Sequence, residues 1–206
     1  MPDPALRRDP AAEGLERLPR QFFRGDSVRV ARALIGATFA RRFRGVWYAA
    51  RIVETEAYLG APDAAAHSRG GRRTARVEPM YADGGHLYVF FVYGMHSCAN
   101  VVTRRPGVPE AVLIRAAEGP PDAPARLLSG PGRFCSALGI TTEASGIDIV
   151  VGRDFRIFRR VRRPRIGVSP RIGVDYAGAA KDWPLRFFDL ASPAVSGRRP
   201  KEARRR

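Results

Sequence analysis

The stretch IVETEAYLG, Ile52 to Gly60, decides how this chain is read. Its alternation describes a strand, and a period of two puts Glu54, Glu56 and Tyr58 on one face and Val53, Thr55 and Ala57 on the other. Acid and aromatic groups gathered on one face stand out in a chain with 36 basic against 20 acidic residues and a net charge of +16. A solvated strand face is the ordinary reading of such a pattern. The sequence on either side supplies the reason to consider another.

Upstream, RGVWYAARIVETEAYLG places a turn at Arg44-Gly45 between two β-rich runs, so the opening strand is the second arm of a hairpin. Before it, DSVRVARALIGATFARRF reads as an amphipathic helix, with Asp26 and Ser27 as capping candidates and Val28, Ala31, Leu34 and Ile35 at helical spacing. Downstream, LGAPDAAAHSRGGRRTAR is rich in glycine, proline and small residues and forms a loop carrying His67, Ser68 and Arg69 past the strand end. HLYVFFVYGMHSCANVVT is a second hairpin about Tyr93-Gly94-Met95-His96, and AVLIRAAEG is a further strand. PDAPARLLSGPGRFCSALGI predicts a proline-started helix, a glycine turn and a second helix, and GIDIVVGRDFRIF a pair of strands. The phrases RIGVSP and RIGVDYAG are too short a pair to define a repeat architecture. The pattern predicts one α+β domain with a largely antiparallel sheet over residues 19–196, between a flexible arm at 1–18 and a basic tail at 197–206.

A chain of 206 residues, 45% of them hydrophobic, builds a substantial single core. No apolar run approaches the roughly 20 residues that cross a bilayer, and MPDPALRRDP has no apolar stretch to serve as a secretory signal. A soluble intracellular protein, cytoplasmic or nucleoid-associated, is expected, with no membrane partner. Cys98 and Cys135 stand apart without a CxxC pair, which favours reduced, buried thiols over zinc or a disulfide. No metal or organic cofactor is expected. Lysine occurs only at 181 and 201, so the positive charge is almost wholly guanidinium, which binds phosphate oxygens bidentately. Nucleic acid is the expected partner.

Two groups of residues can carry chemistry. Glu56, Tyr58 and His67, brought together at the strand end, offer a base, a stacking surface and a hydrogen-bonding imidazole. On the second hairpin, Tyr93 and Met95 occupy a tip where polar turn residues are usual. An apolar tip on a basic protein suits a wedge that enters a base stack; equally, Tyr93 can pack back onto the domain. Phe90 shares a strand face with Tyr88, and Asn100 on the returning strand can read a base edge or serve the backbone.

The ordered series ETEAYLG, AHSRGG, LYVFFVYGMHSCANVV, VLIRAAE, LLSGPGRFCSALGI, RIGVDYAG, PLRFF and SP resembles the alkyladenine (3-methyladenine) DNA glycosylase family from about Arg20 to Ser196. The resemblance implies a curved antiparallel sheet flanked by helices, with a protruding β-hairpin that inserts into DNA. It implies a monomeric, monofunctional base-excision repair enzyme that flips alkylated purines such as 3-methyladenine or 7-methylguanine, and in some members hypoxanthine or ethenoadenine, out of double-stranded DNA. The N-glycosidic bond is then hydrolysed and an abasic site remains. Glu56 matches the family's general base and Arg115 the arginine beside the attacking water. Tyr58, His67 and Phe90 match the walls of the base pocket, Asn100 the asparagine that hinders guanine, and Tyr93 the inserted residue. Glu54, despite its matching parity, is given a supporting role.

The residue types suit that chemistry. Ring-nitrogen alkylation makes a purine cationic, and an aromatic box attracts it by about 0.5–2 kcal/mol per good contact. Extrusion is easier for weakened pairs, and an ionised Glu56 both stabilises the positive sugar and takes a proton from water. Lysine scarcity independently favours hydrolysis by water, since strand cleavage generally needs an activated amine. The chain departs from the pattern where Phe90 replaces a frequent tyrosine, losing a hydroxyl, and where His96 replaces an aromatic at the hairpin tip. A basic nucleic-acid-binding protein without turnover, or a hydrolase of free nucleosides, would not need both the carboxylate pocket and the basic surface.

Overall fold

Thirteen consecutive residues, Val46–Tyr58, form strand β2, and the sheet is assembled on it. The computed structural model describes residues 1–92 and 94–197. Strand β1 (Thr38–Phe43) enters β2 through a turn in which Arg44 and Gly45 have φ of 48° and 82°. Positive φ at both central positions gives the turn the twist that joins antiparallel strands, and glycine at the second relieves the steric cost there. β1 runs along β2 as far as Thr38↔Arg51, after which β8 (Arg186–Asp189) takes over that edge opposite Glu54, Thr55 and Glu56. On the other edge lie β5 (Glu110–Glu118), β4 (His96–Thr103) and β3 (Leu87–Val92), while β6 (Phe155–Phe158) pairs with β1 and β7 (Ile166–Ser169) with β8. Every pairing among the described residues is antiparallel, and the sheet curls into a half-barrel over one main core with smaller clusters beside it.

Helices α1 (Arg20–Phe23), α2 (Ser27–Leu34) and α3 (Pro131–Ala137) are short. α2 begins as the sequence predicts, with the Asp26 carboxylate accepting the Arg29 N–H at 2.8 Å. It ends sooner than expected: Gly36 at φ 90° turns the chain, and TFARRF becomes β1 because aromatic and β-branched residues there pair with WYAAR. Val30, Ala31 and Leu34 are buried in the core, and the Thr55 hydroxyl donates to the Ala31 carbonyl at 3.0 Å, fastening α2 to the middle of β2.

Two other expectations are corrected. PDAPARLL forms turns closed by the Pro120 and Pro124 carbonyls, since its prolines lack the donors a helix needs, and only α3 follows it. GIDIVVG contributes an isolated bridge, His86↔Asp148, and no strand; the Asp148 carboxylate accepts the Val150 N–H at 2.8 Å and folds the segment into a turn.

Residues 1–18, expected as a flexible arm, are packed onto the domain. Asp3 caps the turn Pro4–Leu6 and its N–H donates to the Ala137 carbonyl at 2.7 Å. Arg7 and Arg17 bridge to Tyr48 and Phe158, and Leu6 and Leu18 are buried in the main core. Two leucines buried this way supply about 3–6 kcal/mol at roughly 1.5–3 each, enough to hold a segment whose backbone also finds strand partners. Only Gly197 of the basic tail is among the described residues. Among those residues no helix is long and apolar enough to cross a membrane.

Candidate active site

Two irregularities in the β2–β5 ladder create the site. The register steps from Ile52↔Ala117 to Glu54↔Ala116 and then to Thr55↔Ile114, leaving Val53 on β2 and Arg115 on β5 each without an opposite partner. Such bulges re-aim side chains. Val53 joins Ala116, Phe188, Ala194 and Val195 in a small apolar cluster, separate from the main core that holds Ala57, so simple alternation fails at that residue. Arg115 comes to lie between the two glutamates, its Nε donating to Glu54 Oε1 at 3.1 Å and its Nη1 standing 3.3 Å from Glu56 Oε1.

Neither glutamate meets solvent; both are 0% exposed, so this strand face is an interior. Glu54 is fully engaged: Oε1 also accepts Arg186 Nε at 2.6 Å, and Oε2 accepts the Ser196 N–H at 2.6 Å. Glu56 accepts the Ile172 N–H at 2.8 Å on Oε1 and the Tyr58 hydroxyl at 3.0 Å on Oε2. Burial pushes the Glu56 carboxyl above its ordinary range, and Arg115, Ile172 and Tyr58 only partly oppose it. For Arg115, burial works against the charge, but Glu56 and Glu54 outweigh it and hold the guanidinium firmly protonated.

Above this floor opens a cleft of about 430 Å³ that brings Tyr58, His67, Phe90, Asn100 and Arg115 together. The His67 and Phe90 rings meet edge to face with centroids 4.4 Å apart, and Phe90 lies 5.5 Å from Tyr88 at a tilt of 30°. His67 Nδ1 is 2.8 Å from the Tyr88 hydroxyl. Burial lowers the His67 pKa, helped by Arg76, Arg69 and Arg72, so the imidazole is neutral at neutral pH. Asn100 donates Nδ2 to the Tyr88 carbonyl at 3.0 Å while lining the cleft. Cys98 lines it too, its thiol pushed up to about 11 by burial and therefore not a nucleophile at neutral pH. The Tyr93 assignment falls outside the described residues; its neighbours Phe91 and Met95 are 51% and 72% exposed. His96 packs against Gly132 of α3, where a Cβ would stand 3.0 Å from the imidazole ring.

Several residues that hold the site carry no sequence signal. Asp63 and Arg171, each with a side chain 0% exposed, form a two-bond pair at 2.5 and 2.9 Å. Asp63 also caps the loop after β2 through the Leu59 and Ala65 N–H groups. Arg171 lies 4.7 Å from the Tyr58 ring centre, directly before Ile172, whose N–H holds Glu56. The pair therefore fixes both the tyrosine and the amide that touch the carboxylate. In a chain with this many arginines, nothing local marks Arg171 or Arg186 as buried. The only hint is that Arg171 follows a proline in the second of two RIGV phrases.

The architecture is an α+β half-barrel with a charge-paired carboxylate buried beside an aromatic cleft, and the family follows from comparison. The model of the methylpurine-DNA glycosylase family matches residues 21–193, and the chain belongs to that family. A protein of Desulfitobacterium hafniense named "Putative 3-methyladenine DNA glycosylase" is 43% identical over 88% of this chain and 99% of its own length. Proteins of the same name from Methanocella arvoryzae and Bdellovibrio bacteriovorus are 42% and 43% identical over 89% and 83% of this chain, and 97% and 94% of their own lengths.

Proposed function

We propose that this protein is a monofunctional, monomeric glycosylase that flips alkylated purines out of duplex DNA and hydrolyses their N-glycosidic bond, with Glu56 activating the attacking water. The observation that carries the reading is the placement of Glu56: a buried carboxylate with a raised pKa, paired with Arg115, under an aromatic cleft. A carboxylate whose proton affinity is raised by burial is a stronger base toward water than an exposed one. Glu56 Oε2 accepts one hydrogen bond from Tyr58, and its second lone pair is the acceptor for that water. As the bond to the base weakens, positive charge develops on the sugar, and the same carboxylate stabilises it.

Tyr58, His67 and Phe90 form the box that favours a cationic, alkylated purine over its neutral parent, chiefly by cation–π attraction. A neutral His67 supports this, because an imidazolium would repel the same substrate. Asn100 screens the exocyclic edge of the base, and Arg115 meets the water and the flipped nucleotide's phosphate. Tyr93, between the exposed Phe91 and Met95, fills the gap left in the stack. Lys181 is exposed, which supports water over an amine as nucleophile and so no strand cleavage.

Glu56→Gln tests the assignment. The variant is expected to lose release of alkylated bases while still binding lesion-bearing duplex; retained excision would overturn the mechanism.

A further inference from the structure

A second and larger cleft, of about 740 Å³, lies away from the base pocket and is lined by Arg8, Arg51, Arg162, Arg163, Arg165 and Asp189. Arg51 and Tyr58 share β2, seven residues apart, so the two clefts are separated by roughly 20 Å at about 3.3 Å per residue. Two of the arginines are already neutralised: Arg8 pairs with Glu13 at 2.5 Å, and Arg51 pairs with Glu118 and with Asp189 at 2.7 Å. Arg162, Arg163 and Arg165 are exposed and have no carboxylate partner among the described residues.

These three do not belong to a loose basic run. The segment is fastened before them by Arg159, whose N–H donates to the Glu16 carbonyl at 2.7 Å and whose Nε meets the Glu16 carboxylate at 2.8 Å. It is fastened after them by the Leu190 N–H, which donates to the Arg165 carbonyl at 2.9 Å. Between these points it lies tight on Gly36, where a Cβ would stand 3.3 Å from Pro164 and 3.5 Å from the Arg162 carbonyl. Like charges crowded on an anchored loop repel one another. The Arg160 pKa is lowered, first by burial and then by Arg163. An anion that bridges the loop relieves that repulsion, and planar guanidinium groups in a row match successive phosphate oxygens.

We propose that this cleft is a second phosphate-binding site, which engages the DNA backbone away from the flipped nucleotide through Arg162, Arg163 and Arg165. It rests on DNA being the polymer this family acts on, and not on the excision chemistry. An acidic polypeptide is the competing occupant. DNA is favoured because the free charges are all guanidinium and the base pocket already brings a duplex to this molecule.

The test is a salt titration of binding to an undamaged 30-bp duplex, comparing the full chain with Arg162→Ala/Arg163→Ala/Arg165→Ala. Each lost phosphate contact lowers the slope of log K against log salt by about 0.9, so a reduction of roughly 2–3 is expected. Single-turnover base release at saturating enzyme should be unchanged, because these residues do not line the base pocket. A control with the same charge change at Arg29, Arg44 and Arg153, which line neither cleft, separates a site from bulk charge. An unchanged slope in the first variant, or an equal loss in the control, overturns the proposal. So does weakened binding of polyglutamate by the first variant with its DNA slope intact, which would assign the cleft to an acidic polypeptide. Loss of excision in the wild-type chain would count against the proposed function and leave this reading standing on its own slope.

Discussion

Arg171→Met probes whether the base pocket depends on a buried ion pair that never touches substrate. Arg171 donates to Asp63 at 2.5 and 2.9 Å and to the carbonyls of Ala57 and Ala180 at 3.0 and 3.2 Å. Methionine keeps most of the stem and none of the donors, leaving Asp63 with only the Leu59 and Ala65 N–H groups for a charge wholly removed from water. Stranding one member of such a pair costs about 3–5 kcal/mol. In a chain of this length each kcal/mol moves the melting temperature by about 2–4 °C, so a fall of roughly 6–20 °C is expected.

Calorimetry on Arg171→Met, Asp63→Asn and the double variant measures this. The double variant should be more stable than the sum of the singles implies, by about 0.5–3 kcal/mol, because the second change removes the charge that the first stranded. Base release, measured well below the lowered melting point, should also slow, since Tyr58 loses the guanidinium 4.7 Å from its ring and Ile172 loses the anchored residue before it. A melting shift under about 3 °C, or strict additivity in the cycle, would refute the idea that this pair organises the site.

Three further outcomes follow from the geometry. Because burial raises the Glu56 pKa above 4.5, the folded chain keeps a proton there that the unfolded chain has lost. The stability this proton contributes is full below pH 4.5 and is lost as pH rises through the folded value; wild type should therefore lose stability across that window relative to Glu56→Gln, and its excision rate should show an acid limb above 4.5. Leu6→Ala should cost about 2–5 kcal/mol in chemical denaturation, as for a core leucine; a change near zero would return residues 1–18 to being a loose arm. Phe90→Leu should reduce the preference for cationic 7-methylguanine over neutral hypoxanthine by about 2- to 30-fold in kcat/KM, from a contact worth about 0.5–2 kcal/mol; an unchanged ratio would remove Phe90 from discrimination.

The hairpins, the turn at Arg44-Gly45 and the cap at Asp26 are legible in the sequence because each rests on a local rule: alternation, turn chemistry or a carboxylate before a helix. Arg115 and the walls of the cleft obey no such rule and are legible through the family resemblance. The errors lie where distant partners override local preference. TFARRF continues a helical period but pairs with WYAAR, and an N-terminal stretch with few apolar residues finds core positions for Leu6 and Leu18 and strand edges for Arg7 and Arg17. Alternation places Glu54 and Glu56 on one face correctly, yet it cannot show that Arg115 sits in a bulge between them or that the face is closed to water. Those facts depend on β5, whose register is set some sixty residues further along the chain.

The bulge also explains why two glutamates of the same parity differ in what they can do. Glu54 receives two guanidinium groups and a backbone amide, with Arg186 the nearer cation at 2.6 Å and Arg115 at 3.1 Å. A carboxylate so fully paired is held in place by three donors and does not line the cleft. Because Arg115 is shared, only its Nη1 remains for Glu56, and at the looser distance of 3.3 Å. The four buried charges balance when both carboxylates are ionised, but Glu56 is the one held less tightly and pushed upward by burial. Burial therefore acts on Glu56 with only a loosely held cation to oppose it. Glu54→Gln, by removing the competing anion, would draw Arg115 toward Glu56, lower its pKa and weaken it as a base. On the mechanism proposed above, the second glutamate would act through the arginine between them, by keeping that arginine from neutralising the first, and Glu54→Gln should slow base release.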